Sequence, residues 1–356
     1  MTTSCTIVPK FLLTLRPNNK AKSVLMKKIL ITGASGFIGS FIVEEALKRG
    51  FETWAAVRKS SSRKYLTDSR IHFIELDLGN RDKLEQQLSG HQFDYVVHAA
   101  GVTKCLHSSD FFKVNTEGTV NLATALRRQN AGLRRFVYLS SLSVMGPARE
   151  QEPHTEIKAD DEPRPDTAYG KSKLESEQRL AAIKDFPFIV LRPTGVYGPR
   201  EKDYFMMAQS IKQHVDFAVG YRPQHITFIY VMDVVQAVFL ALDHGTVGAK
   251  YFISDGKVYS SRTFSDLIRK ELGNPWLLRI KAPLWVLRTV TSLGEWAGRI
   301  TGKISALNND KYNIMKQRNW MCDITPAENE LGYKPKYDLQ RGVEITMKWY
   351  KDNGWI

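Results

Sequence analysis

The first readable pattern is the apolar run Ile29-Leu30-Ile31-Thr32, short and unbroken, as a strand buried on both faces requires. Residues 37–49 then take helical spacing and end in Lys48-Arg49-Gly50, basic residues and a glycine that suit a helix C-terminus. Further strands are predicted over 53–57, 72–76, 95–99, 136–139 and 188–191. Between them, helices are marked by Leu84 and Leu88, by a long segment over 111–128, and by 168–183 behind Pro163 and Pro165. Glu175 and Arg179 have the spacing of an exposed ion pair on that last helix. Beyond Pro193 the alternation weakens, with strand-like runs at 228–231 and 251–254.

Short strands alternating with helices predict an α/β fold, a doubly wound, mainly parallel sheet. A cofactor-binding unit over 26–195 is expected, with pieces of 225–255 returning to it and 196–356 forming mainly a smaller C-terminal substrate-binding lobe. Residues 1–25 carry only Lys10, Arg16, Lys20 and Lys22 as charges, and their apolar core at 8–13 is too short for a signal segment. Met26-Lys27-Lys28 is a second start-like sequence, so 1–25 read as a disordered extension, with targeting as the alternative.

Composition narrows the partners. The hydrophobic share of 43% is that of an ordinary globular chain, and 51 Lys/Arg against 37 Asp/Glu leave a formal charge of +14, which favours anionic ligands or surfaces. No zinc spacing or nucleic-acid motif accompanies that charge, so a small-molecule substrate is expected and no nucleic acid. Cys5, Cys105 and Cys322 are few and scattered, which predicts neither disulfides nor a metal site and points to a cytoplasmic setting.

The chemistry concentrates in two places. Gly33-Ala34-Ser35-Gly36-Phe37-Ile38-Gly39 joins the first strand to the first helix. Gly33 permits the turn, Gly36 lets backbone approach a phosphate, and Gly39 lets the helix pack close, so a dinucleotide pyrophosphate would meet the helix N-terminus. Where a carboxylate would grip the adenosine ribose, the second strand ends in Val57-Arg58-Lys59. A guanidinium suits a phosphate there, so NADP(H) is favoured over NAD(H).

Tyr169 and Lys173, at i and i+4, share a helix face. Ionising a phenol at neutral pH costs roughly 4 kcal/mol. An ammonium about 4–5 Å away returns roughly 3–4 kcal/mol at an effective dielectric near 20. The pair can therefore work as acid and base in a partly closed site. Ser140 and Ser141 end the fifth strand, at the sheet edge where ligands collect, although serine also serves turns there. His98 reads as a packed strand-end histidine. Thr103 and Lys104 are open to either role.

As an ordered set these segments resemble the extended short-chain dehydrogenase/reductases, which include the epimerase/dehydratase enzymes. The resemblance runs from about Lys28 onward through Gly33–Gly39, Asp77-Leu78, His98-Ala99-Ala100-Gly101, Asn115, Ser140-Ser141, Tyr169-x-x-x-Lys173 and the 191–199 stretch Leu-Arg-Pro-Thr-Gly-Val-Tyr-Gly-Pro. It implies a Rossmann fold in which Ser141 polarises the substrate oxygen, Tyr169 donates and accepts the proton, and Lys173 holds the nicotinamide ribose. It further implies Asp77 and Leu78 near the adenine, Pro193, Gly195 and Val196 beside the nicotinamide, and cofactor contacts from Ser35, Phe37, Ile38, Ala99, Ala100 and Gly101.

Nucleotide-sugar members often place an arginine before the strand matching 228–231, and dehydratases an acid beside the serine. Here His225-Ile226-Thr227 and Leu142-Ser143 stand in those places, which is closer to the reductase and 3β-hydroxysteroid dehydrogenase branches. The expected activity is hydride transfer at a secondary alcohol or ketone carbon. A nucleotide-sugar epimerase with retained NAD and a non-catalytic cofactor-sensing scaffold are the alternatives, and a homodimer is possible. Late in the chain, Val286, Val290, Leu293, Ala297 and Ile300 form one apolar stripe, and residues 281–320 hold seven Lys/Arg against two Asp/Glu. The stripe is expected to pack in the core of the second lobe, with membrane-surface contact the lesser alternative.

Overall fold

The computed structural model describes residue 1, residues 26–302 and residues 308–356. Apart from Met1, the 1–25 extension lies outside the described residues. Six strands come first: β1 (Lys28–Thr32), β2 (Glu52–Val57), β3 (His72–Glu75), β4 (Tyr95–His98), β5 (Arg135–Leu139) and β6 (Phe188–Pro193). Among them lie α1 (Phe37–Lys48), α2 (Arg81–Leu88), α3 (Ser108–Phe111), α4 (Gly118–Gln129) and α5 (Ala168–Ala181). The chain continues through β7 (Gly195–Tyr197), α6 (Asp203–Lys212), β8 (Val215–Val219), β9 (Phe228–Tyr230), α7 (Val231–His244) and β10 (Lys250–Ile253). It ends with α8 (Thr263–Glu271), β11 (Leu278–Ala282), α9 (Leu284–Thr301), α10 (Asn309–Lys316), α11 (Thr325–Leu331) and α12 (Leu339–Asp352).

The main sheet is doubly wound and parallel, in the order β10-β6-β5-β4-β1-β2-β3. Its strands are apolar throughout because both faces are covered. Ile29 and Ile31 enter one core with α1 and α7, whereas Leu30 enters the other with α2 and α4. The order reverses between β1 and β4, whose carboxyl ends therefore open a crevice. β10, from the late segment 225–255, pairs with β6 at the sheet edge, while β9 pairs with β7 in a separate two-stranded sheet.

Two expectations need correction. The helix predicted over 111–128 is interrupted by a π-helical turn, Phe112–Glu117. Its cause is tertiary: Asn115 Nδ2 donates to Ser172 Oγ at 3.1 Å, and Thr116 Oγ1 to the Ser172 carbonyl at 2.8 Å. The apolar stripe of α9 does not fill a core, since Val290, Leu293 and Ile300 are exposed and only Val286 among its described side chains is half-buried. β8 and β11, which no periodicity announced, form a parallel ribbon beside this helix.

Candidate active site

The crevice is built first by the turn after β1. Gly33 has φ +68, and a Cβ there would lie 2.6 Å from the Ala99 carbonyl carbon, so only glycine lets β1 and β4 end this close together. A Cβ on Gly39 would collide with the Gly33 carbonyl oxygen, which brings α1 directly onto the turn. Gly36 caps α1 with no side-chain bond to its amides. These are the features a dinucleotide pyrophosphate needs: a bare backbone cradle facing the positive end of a helix.

A cleft of about 790 Å³ runs from this cradle. Gly33, Gly36, Phe37, Ile38, Gly39, Ala99 and Gly101 line its floor, and Ser141, Tyr169, Lys173, Pro193 and Val196 its far end. Thr103 and Lys104 also face it. Gly195 borders an adjoining chamber instead. Ser35 and Ala100 sit in the same two turns without lining the cleft. Arg58, exposed after β2, and Asp77 and Leu78, half-buried after β3, stand at the neighbouring strand ends outside the lining.

Both serines after β5 border the cleft, but their hydroxyls separate. Ser140 Oγ turns under the sheet and donates to Glu177 Oε1 at 2.5 Å, within a buried ion pair of Glu177 with Arg192 at 2.6 Å. Ser141 faces the cleft while its Oγ accepts from the Ser143 amide at 3.1 Å, so the turn role and the cleft position coexist. Strand alternation makes this choice.

Tyr169 stands on the first turn of α5, which is fixed from two directions. Thr167 Oγ1 accepts from the Gly170 amide at 2.9 Å, and the Asp310 carboxylate of α10 accepts from the Ala168 and Tyr169 amides at 3.0 and 3.1 Å. Burial pushes the phenol above its ordinary pKa, and a hydrogen bond with the Ser141 side chain pulls it down. Lys173 donates to the Leu139 carbonyl at 2.6 Å, with its Nζ 4.3 Å from the centre of the Tyr138 ring. Burial draws its pKa down to about 7, against an upward pull from Glu177. The lowering of the Tyr169 pKa by Lys173 expected from helix spacing is therefore not what dominates here: the ammonium is turned to a carbonyl, and desolvation governs both groups.

His98 is structural. Its ring nitrogens bond Thr32 Oγ1 at 2.6 Å and Thr119 Oγ1 at 2.8 Å, and burial takes its pKa down to about 3.

Several features gave no sequence signal. Lys104 bridges Asp203 at 2.5 Å, with Lys311 at 3.5 Å on the same carboxylate, across the cleft mouth. A second chamber of about 420 Å³ shares Ser141, Pro193, Thr194, Tyr204, Met207 and Lys311 with the first. It is walled mainly by Leu142, Phe217, Ile226, Phe228, Phe264, Ile314, Met315 and Trp320. Lys311 is the one cationic side chain among its described lining residues.

Comparison with known proteins agrees with this architecture. Residues 29–254 match the sequence model of the NAD dependent epimerase/dehydratase family. The UDP-glucose 4-epimerase of Vibrio cholerae is 27% identical, over 90% of this chain and 94% of its own. The decarboxylating sterol-4-alpha-carboxylate 3-dehydrogenase of Candida albicans is 25% identical, over 92% and 99%. Among solved structures, the Bordetella bronchiseptica enzyme WbmG in complex with NAD and UDP superposes with a TM-score of 0.73 at 21% identity, covering 92% of this chain and 96% of that one.

Proposed function

Because the chain belongs to the NAD dependent epimerase/dehydratase family, we propose that it is a nicotinamide-dependent oxidoreductase acting at a secondary alcohol or ketone on an apolar substrate, with Ser141, Tyr169 and Lys173 as its working groups. The observation that carries this reading is that all three line the glycine-cradled cleft and that Ser141 also lines the adjoining apolar chamber.

The dinucleotide, when bound, supplies or accepts the hydride. Gly33, Gly36, Gly39 and the first amides of α1 would hold its pyrophosphate. Arg58, Lys59 and Ser60, all exposed after β2, favour a ribose phosphate and hence NADP(H). In reduction, the Ser141 hydroxyl holds the ketone oxygen and the Tyr169 Oη–H gives it a proton as the carbon gains hydride. In oxidation the phenolate takes that proton back. Lys173, drawn down to about 7 by burial, can carry a positive charge in the same cleft as the phenol.

The chamber supports an apolar substrate class. A nucleoside diphosphate calls for guanidinium forks, yet the described lining residues offer one lysine, already shared with Asp203. Its volume and aromatic walls suit a rigid or long-chain hydrocarbon body. The UDP-glucose 4-epimerase relative keeps a second reading in view, an epimerase that retains its nucleotide.

The test is reduced-nicotinamide consumption by the purified chain, with each cofactor, against ketosteroids, long-chain ketones and UDP-sugars. Apolar ketones are expected to turn over, with NADPH preferred. Tyr169→Phe should lose about 10²–10⁴-fold in rate while still binding nucleotide. UDP-sugar turnover without net cofactor change, or a wild-type rate in Tyr169→Phe, would overturn the proposal.

A further inference from the structure

One feature unused by the proposed reaction is the outer surface of the second lobe. In the β8–β11 ribbon, Phe217 lies opposite Ile280, and Val215 opposite Leu278. On the apolar face Phe217, Leu278 and Ile280 are exposed, while on the other face Asp216 is buried and pairs with Arg262 and Arg279.

Helix α9 continues this surface, because Leu284 at its start packs beside Gly220 at the end of β8. At 100° per residue, Trp285, Trp296, Ile300, Leu293 and Val290 fall in that order within an arc of roughly 140°. All five are exposed. Buried Leu287 and Thr291 occupy the inward sector, and Arg288 flanks the apolar arc. The helix thus has one face for the protein, one for charge, and a third that is apolar and uncovered.

Phe217, Tyr221, Trp276, Trp285 and Trp296 are each 64–72% exposed. At ~150–250 Å² per aromatic side chain they alone present roughly 600 Å². That equals the upper end, roughly 300–600 Å², of the largest patch on an ordinary monomer.

We propose that α9 and the β8–β11 ribbon form a docking surface for an anionic lipid bilayer, on which the protein lies without crossing it. Three observations select lipid over a protein partner. Tryptophans recur along the patch, as at membrane–water interfaces. Residues 276–301 hold four Lys/Arg and one Asp/Glu; Arg279 pairs with Asp216 and Asp266, and Lys281 and Arg288 are exposed, the charge that complements an anionic headgroup layer. Phe217 belongs both to the patch and to the wall of the apolar chamber, so the surface leads inward. No helix among the described residues is long and apolar enough to span a membrane. Delivery of substrate from the bilayer along Phe217 rests on the reading of the chamber given above; the docking does not.

The experiment is flotation of the full chain with vesicles of phosphatidylcholine alone and of phosphatidylcholine with phosphatidylglycerol, together with tryptophan emission. Binding at least tenfold stronger to the anionic vesicles is expected, with a blue shift. Leu293→Asp/Trp296→Asp should lose at least tenfold in binding while keeping its circular dichroism and melting temperature. Val247→Asp, a substitution of an exposed apolar residue after α7, should bind like wild type. Failure to float with either vesicle, or equal flotation of wild type and the double variant, would overturn the proposal. So would self-association that the double variant abolishes in the absence of vesicle binding, because a second copy would then be the occupant. None of these readouts depends on catalysis.

Discussion

Lys173 occupies a place where its charge is costly, and replacing it with methionine measures that cost. The side chain is 4% exposed, and burial draws its pKa from 10.5 to about 7. At ~1.4 kcal/mol per tenfold change in proton affinity, that fall corresponds to about 5 kcal/mol, an upper bound on the penalty for keeping the ammonium inside the fold. Lys173→Met removes that penalty with little change in volume. It also leaves the Leu139 carbonyl without its donor, which costs about 1–3 kcal/mol. A net stabilisation of about 2–4 kcal/mol is expected in mild acid.

The sign follows from proton counting. Below about pH 7 the lysine is charged in both folded and unfolded chains, so the whole penalty is present. Between about 7 and 10.5 the unfolded chain keeps a proton that the folded one has shed, so wild-type stability rises with pH. Methionine has no such slope, and the variant's advantage shrinks across this window. Urea unfolding at pH values of about 6, 7.5 and 9 measures it, provided m is unchanged. The same variant should lose at least ~10²-fold in turnover, a gain in stability at the expense of function. A variant less stable than wild type near pH 6, or offset by a constant amount at all three pH values, would refute the reasoning.

Glu177→Gln leaves Arg192, 2% exposed, without its carboxylate; a loss of about 3–5 kcal/mol is expected in thermal or denaturant unfolding. Since Glu177 also pulls the Lys173 pKa upward, the limb of the kcat/KM profile that reports Lys173 should move to lower pH in this variant. Asp310→Ala removes the carboxylate that caps α5 beneath Tyr169 and should cost about 1 kcal/mol of stability. It should lower kcat more than it raises KM, and Asp310→Asn should restore part of the rate.

The sheet was legible in the sequence because its strands are buried on both faces. Ile29, Leu30 and Ile31 feed two different cores, and no polar residue can interrupt such a run. The π-helical turn was not legible, because the spacing over 111–128 is that of one ordinary helix. What breaks it is Asn115 and Thr116 reaching Ser172, more than fifty residues later. Asp310 was invisible for the same reason, since a carboxylate becomes a helix cap only when α10 is laid against the start of α5. The stripe of α9 was found as a pattern and given the wrong destination. Amphipathicity reports that a face avoids water, and it does not report what covers that face.

The two serines after β5 show where sequence reading stops and geometry takes over. Ser140 and Ser141 are chemically identical, adjacent, and both at the strand end where ligands collect. Both border the cleft, but extended backbone sends successive side chains to opposite faces, so only one hydroxyl is left on the Tyr169 side. The other must answer to whatever lies beneath the sheet, which here is Glu177, itself neutralised by Arg192 and pulling upward on the Lys173 pKa. One hydroxyl thus meets the substrate oxygen under the proposed reaction, while its neighbour anchors the buried charges behind the lysine. Exchanging their roles would need a one-residue slip of β5, which would also turn Val137 and Tyr138 into each other's cores. The assignment of Ser141 is therefore tied to the register of the whole strand, and the chemistry of the site is inherited from the packing of the sheet.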